Sequence, residues 1–161
     1  MYQNKPTVKQ TIILKLLLIA LFTSVIGACS EKSKTIPLQT IYSSNNCAIP
    51  VQVLKSINSA TELDLLLQSF PKSFSNPSPI NIQINYQKQV LILFALGRKP
   101  SSGYSIKLEN KFAILKGEKL YLPISIHQPD ESSYQAQLIT SPCRIISIPK
   151  INFLEIRIGK E

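Results

Sequence analysis

Seven consecutive apolar residues, Val90 to Leu96 (VLILFAL), stand between the polar Gln87-Lys88-Gln89 and Gly97. A run this short suits a strand better than a helix, and a strand sends alternate side chains to opposite faces. With every position apolar, both faces need cover, which places the run in the middle of a sheet with apolar layers on either side. The flanking sequence supplies partners. Ile49 to Leu54 alternates, and Ile80, Ile82 and Ile84 alternate with Asn81, Gln83 and Asn85. Further strands are expected at Tyr104–Leu108, Phe112–Leu115, Leu120–His127, Tyr134–Ile139, Arg144–Ile148 and Phe153–Ile158, with turn residues between them. Lys116-Gly117-Glu118 reads as a hairpin turn, and Pro123 marks an edge or a bulge. The fold class that follows is mainly β, a sandwich or barrel-like antiparallel sheet. One packed helix is expected near residues 60–70. There Ser59-Ala60-Thr61-Glu62 forms a capping box, Leu63, Leu65, Leu66, Leu67 and Phe70 form an apolar stripe, and Pro71 ends the helix. The Pro- and Ser-rich stretch from Pro71 to Pro79 should be a surface loop.

The N-terminus carries a different signal. Lys5, Lys9 and Lys15 accompany an uncharged apolar run from Leu16 to Ile26, which as a helix spans about 16 Å, roughly half of a ~30 Å hydrocarbon core. That pattern is a leader rather than a permanent span. Val25-Ile26-Gly27-Ala28-Cys29 follows, and it resembles the lipobox of bacterial lipoproteins. The resemblance implies cleavage before Cys29 and several acyl chains on that cysteine, as stable anchoring requires. An ordinary secretory cut after Ala28 is the alternative. Residues 1–28 are thus expected as signal peptide, 29–46 as a lipidated polar tether and 47–161 as a single β-rich domain. Ser30, in place of an aspartate, points by analogy to the outer membrane, so the expected location is the cell envelope with the membrane as a partner through lipid.

The chain has 18 Lys and Arg against 9 Asp and Glu, a net charge of +9, and the leader's three lysines do not account for all of it. The cations are scattered, without a run and without interleaved aromatics, which argues against a nucleic-acid partner. With Cys29 set aside, Cys47 and Cys143 remain, as either a disulfide in an oxidising compartment or two buried thiols.

Chemistry is scarce. The single histidine, His127, has Asp130 and Glu131 nearby but no G-x-S-x-G elbow, and adjacent positions at a strand end seldom build a triad. No spacing suits zinc or calcium, and no phosphate-cradling glycine motif occurs. No catalytic residue, metal, cofactor or small-molecule substrate is therefore expected. What stands out is the loop Gly97-Arg98-Lys99-Pro100-Ser101-Ser102-Gly103-Tyr104. It offers two cations, two hydroxyls and a tyrosine suited to a protein interface, with Gly103 expected to permit the turn. The plainer reading is a tight connection whose Tyr104 packs inward.

Taken with its surroundings, this loop resembles the PrcB family of protease-complex subunits. Asn85-Tyr86, the apolar strand, the G-x-x-P-S-x-G-Y-S run from Gly97 to Ser105 and Thr140-Ser141-Pro142-Cys143 before Ile145 to Pro149 follow the family order. The chain departs from it at Gln128-Pro129-Asp130-Glu131, where a Pro-Gly turn is common, and at Cys143, where an aromatic is. The resemblance implies a non-enzymatic subunit that binds an exported protease and stabilises or assembles its complex. Pro100-Ser101-Ser102-Gly103-Tyr104 is also similar to a loop of chagasin-type inhibitors, β-sandwiches that fill the clefts of cysteine proteases. Two counterpart loops of those inhibitors are missing here. A third class is a structural envelope lipoprotein with no protease partner.

Overall fold

A computed structural model describes residues 32–71, 82–130 and 134–159. The expected leader, Cys29, residues 72–79, Ile80, Asn81 and Glu131 lie outside the described residues. In chain order the elements are β1 (Ser33–Pro37), β2 (Gln39–Ser44), β3 (Gln52–Ile57), α1 (Ala60–Gln68), β4 (Gln89–Leu96) and β5 (Ser105–Leu108). They continue with β6 (Phe112–Lys116), β7 (Lys119–Leu122), β8 (Ile124–His127), β9 (Cys143–Pro149) and β10 (Glu155–Ile158).

One four-stranded sheet has the order β2-β9-β4-β3, a second has the order β1-β6-β7-β10, and β5 and β8 form a two-stranded ribbon. All pairings are antiparallel except β10 with β7. The sheets are open rather than closed into a barrel. As expected, β4 lies between two neighbours and buries both faces. Val90, Ile92, Phe94 and Leu96 join Ile146 and Ile148 of β9 in a core shared with Ile36, Ala113, Leu120 and Leu122 of the second sheet and Ile106 and Ile124 of the ribbon. Leu91, Leu93 and Ala95 face the other way, into a second core with Ile57, Ile145, Leu63 of α1 and Phe70. The result is three layers, with the helix and the second sheet on opposite faces of the β4 sheet.

The helix starts where the capping box puts it: Ser59 Oγ accepts from Glu62 N at 3.2 Å, and a Glu62 carboxylate oxygen accepts from Asn58 N at 3.3 Å. Glu62 also pairs with Lys55 at 2.7 Å, and that bond, more than any other contact, lowers its pKa below the usual value. Leu65 does not join the packed stripe; it is exposed, while Leu63, Leu66 and Leu67 turn toward the sheet.

Four expectations need correction. Residues 33–44, taken as tether, form β1 and β2, one in each four-stranded sheet. Their polar composition conceals how few apolar side chains an antiparallel ladder requires: Ile36 and Leu38 are buried, and a register shift between Thr40 and Tyr42 breaks the alternation. Ile82 and Ile84 are half-buried against the second core, but residues 82–85 are in no ladder; they run into a turn where Asn85 O accepts from Lys88 and Gln89 N, both at 2.9 Å. Residues 134–139 are likewise outside any strand and carry exposed apolar side chains. The expected strand 120–127 is two, β7 and β8, because Pro123 lacks the N–H a ladder needs and the chain changes sheets there.

Arg144 of β9 ties β2 of its own sheet to β5 of the ribbon. Its Nη1 donates to Thr40 Oγ1 at 3.0 Å and its Nη2 to Ile106 O at 2.9 Å, while burial pulls its pKa below the usual guanidinium value. Because Phe94 is fully buried at the centre of the first core, Phe94→Ala should lower stability by about 3–5 kcal/mol, whereas Leu65→Ala should change it by less than about 0.5 kcal/mol. Urea unfolding followed by circular dichroism measures both.

Candidate functional site

Where β4 ends, the chain passes so close to β3 that only glycine fits. Gly97 has φ +72°, and a Cβ there would lie 2.8 Å from the Val51 carbonyl carbon and 2.9 Å from Gln52 N. From that point the loop is fastened by backbone bonds to three other segments. Arg98 N donates to Pro50 O at 3.2 Å, Lys99 and Thr140 exchange bonds of 2.8 and 3.0 Å, and Ser102 N donates to Ala136 O at 3.2 Å. Thr140 Oγ1 also donates to Ser101 O at 2.9 Å.

Behind the loop lies a covalent clamp. Cys47 and Cys143 are both buried and form a disulfide across a Cα–Cα distance of 6.0 Å. Around it Cys47 N donates to Ser141 O at 2.8 Å, Ser141 N to Asn45 O at 3.0 Å, Ser141 Oγ to Ile49 O at 2.7 Å and Leu96 N to Pro142 O at 2.9 Å. The fold therefore gathers Gly97–Tyr104, Pro50–Val51 and Ala136–Pro142 at one end of the β4 sheet. Asn85-Tyr86 is not part of that assembly. It sits before the start of β4, with Tyr86 half-buried against the second core and its hydroxyl buried without a hydrogen-bond partner. Desolvation first, then the charges of Asp64 and Glu62, raise the Tyr86 pKa above the ordinary phenol value.

Within the loop the side chains divide by exposure. Arg98, Pro100 and Ser102 are exposed, Ser101 is buried, and Lys99, Gly103 and Tyr104 are half-buried. The expected role of Gly103 in permitting the turn is not what the structure shows, since its φ is not positive. Glycine is needed there for space: a Cβ would lie 2.5 Å from Pro129 Cβ and 2.7 Å from Gln135 Oε1. Tyr104 packs against the first core, and Lys99 Nζ stands 5.4 Å from its ring centroid, so the ring is shared between the interior and a cation. The freely exposed apolar groups at this end are instead Val51 (63%), Leu138 (62%), Ile139 (67%) and Tyr134 (106%). Sequence reading missed them as surface because residues 49–54 and 134–139 alternate like strands.

His127 is exposed at the end of β8, opposite Ser105, and Asp130 is exposed beyond it. Among the described residues no three His, Cys, Asp or Glu side chains gather as a metal site, and no helix is long and apolar enough to cross a membrane. A cleft of about 410 Å³, lined by Ser56, Asn58, Lys150 and Asn152 among others, lies at the opposite end of β4 from the loop, and Lys150 Nζ there donates to Tyr86 O at 3.1 Å.

Two outcomes follow. Replacing both Cys47 and Cys143 with serine should lower stability by about 2–4 kcal/mol in denaturant unfolding, because the bridge closes a loop of 96 residues. Tyr104→Ala should cost about 1–2 kcal/mol and Tyr104→Phe almost nothing, since the ring's half-burial and not its hydroxyl carries the contact. An unchanged melting curve for Tyr104→Ala would show that the ring is not core.

Residues 90–149, from β4 through the end of β9, match the family model described as PrcB C-terminal. No curated protein and no solved structure matches the chain. The match holds both halves of the assembled site, the loop after β4 and the Thr140–Cys143 segment that braces it. Residues 90–149 are thus similar to the PrcB C-terminal family, as the G-x-x-P-S-x-G-Y-S loop implied.

Proposed function

We propose that this protein is a non-enzymatic, lipid-anchored subunit of the cell envelope that binds an exported protease and stabilises it or holds it in a complex. The observation that carries the reading is the braced loop Gly97–Tyr104 inside the PrcB-like segment. A loop tied by backbone bonds to residues 50, 136 and 140 loses little freedom on binding, which favours affinity. It presents the cation Arg98 amid the exposed Val51, Leu138 and Ile139, a mixture of apolar centre and basic rim that suits a protein partner. The lipobox-like run ending at Cys29 supports an acyl anchor, with the outer membrane as the address. No nucleic acid, cofactor or metal enters the reading.

The test is purification of the tagged full chain from detergent-solubilised envelopes at high salt, with mass spectrometry of what remains at stoichiometric levels. A protease should co-purify, live longer with the subunit than without it, and be lost from an Arg98→Glu/Leu138→Asp variant by about tenfold or more in affinity. A solitary protein would overturn the reading. A partner protease that slows when the chain is added would make the chain an inhibitor. The Cys29 peptide should carry the mass of its acyl chains.

A further inference from the structure

The β1-β6-β7-β10 sheet has an outward face, and strand register decides what stands on it. Thr35, Ile114, Tyr121 and Arg157 form one cross-strand row; Ser33, Lys116, Lys119 and Glu155 form the next; Pro37 and Phe112 form a third. The alternate positions, Ile36, Ala113, Leu115, Leu120, Leu122, Ile156 and Ile158, point into the first core, which contains neither Ile114, Tyr121 nor Phe112. The outward face therefore carries an apolar and aromatic stripe, Phe112-Ile114-Tyr121, with Phe112 51% exposed. Lys116, Lys119 and Arg157 flank it, and among the described residues of these rows the one carboxylate is Glu155, which bonds Arg157 at 2.7 Å. On the far side of the molecule α1 carries Glu62 and Asp64 and has no basic residue in its last turn. Glu62 there is paired with Lys55, which leaves Asp64 as the carboxylate of α1 outside that pair, whereas Lys119 stands beside the aromatic stripe of the sheet.

The correction to the N-terminal tether gives this asymmetry a direction. Ser33 begins β1, an edge strand of this same sheet, four residues after Cys29. Four residues reach at most about 14 Å when fully extended. We propose that the outward face of the β1-β6-β7-β10 sheet lies on the anionic phospholipid surface of the membrane that holds Cys29, with its cations at the headgroups and Phe112 and Tyr121 at the interface. This rests on the reading that Cys29 is acylated. A domain tied so closely cannot stand off beyond about one or two Debye lengths, the range over which cations feel an anionic leaflet. Of its faces, the one with cations beside aromatics gains most from that surface, because lysine and arginine reach toward phosphates while aromatic rings settle at the interface.

The chain contains no tryptophan, so a single introduced one reports its own surroundings. The experiment compares Phe112→Trp with Leu65→Trp, on the opposite side, in the full lipoprotein reconstituted into vesicles. The vesicles contain brominated phosphatidylcholine, with or without phosphatidylglycerol. With phosphatidylglycerol present, the Phe112→Trp reporter should shift to the blue and be quenched several-fold more than the Leu65→Trp reporter, and about 0.5 M salt should remove most of that difference. Adding Lys119→Glu and Arg157→Glu should do the same, with matching melting curves showing that the fold is kept. Equal quenching at the two positions, or equal quenching of the Phe112→Trp reporter without phosphatidylglycerol, would overturn the proposal. If the Cys29 peptide lacks acyl mass, only the anchor reading fails; the same reporter added to preformed anionic vesicles must then be quenched, or the face reading fails as well.

Discussion

The fold depends on β4 being buried on both faces. Val90, Ile92, Phe94 and Leu96 hold one core together while Leu91, Leu93 and Ala95 hold the other, so both outer layers are positioned by one strand. Neither layer is large enough to stand alone. The nine residues of α1 form too short a helix to persist in water without packing, and its Leu63 is buried only because the β4 sheet offers Leu91, Leu93 and Ile145. The second sheet is in the same position, since Ala113, Leu120 and Leu122 find cover from β4 and β9 across the interior.

The same strand sets the two ends of the molecule apart. Its C-terminal end runs into the loop at Gly97, where the disulfide, Thr140 and Ser141 all converge. Its N-terminal end emerges from the Asn85 turn, beside the cleft near Lys150. Covalent and hydrogen-bonded bracing is concentrated at the end that carries the exposed Val51, Leu138 and Ile139. A surface meant for a partner gains from rigidity there, because a braced loop has less freedom to lose on binding.

Much of this was legible from local pattern. The apolar run of β4, the capping box of α1 and the Gly97–Ser105 motif each announce themselves within about ten residues of sequence. What was not legible depends on distant partners. Within residues 33–44 only Ile36 of β1 and Leu38, between β1 and β2, are fully buried, too few for a periodic signal, and the two strands exist because β6 and β9 offer them edges. Residues 134–139 alternate correctly yet find no ladder, since β5 pairs with β8 and the backbone of the segment instead accepts from Ser102 and makes its own internal turn. Gly103 could be singled out as a glycine in a loop, but its actual reason, contact with Pro129 and Gln135, requires the folded chain. The disulfide stood open because Cα separation is not written in spacing.

The two proposed surfaces also make demands on each other, and the architecture meets both. The loop lies at a strand end of the β4 sheet, whereas the cationic stripe lies on the outward face of the sheet packed against it. Two sheets packed face to face lie in roughly parallel planes about 10 Å apart, so the strands of one run along the other's face and their ends do not point through it. A bilayer covering the outward face of β6 and β7 would therefore leave the Gly97–Tyr104 end open along the membrane rather than pressed into it. A partner reaching that end would approach sideways, and would itself be held at the membrane surface. If Cys29 is acylated as proposed, its short link to β1 would do more than retain the domain: it would limit the orientations in which the braced loop is offered, which a long flexible tether would not.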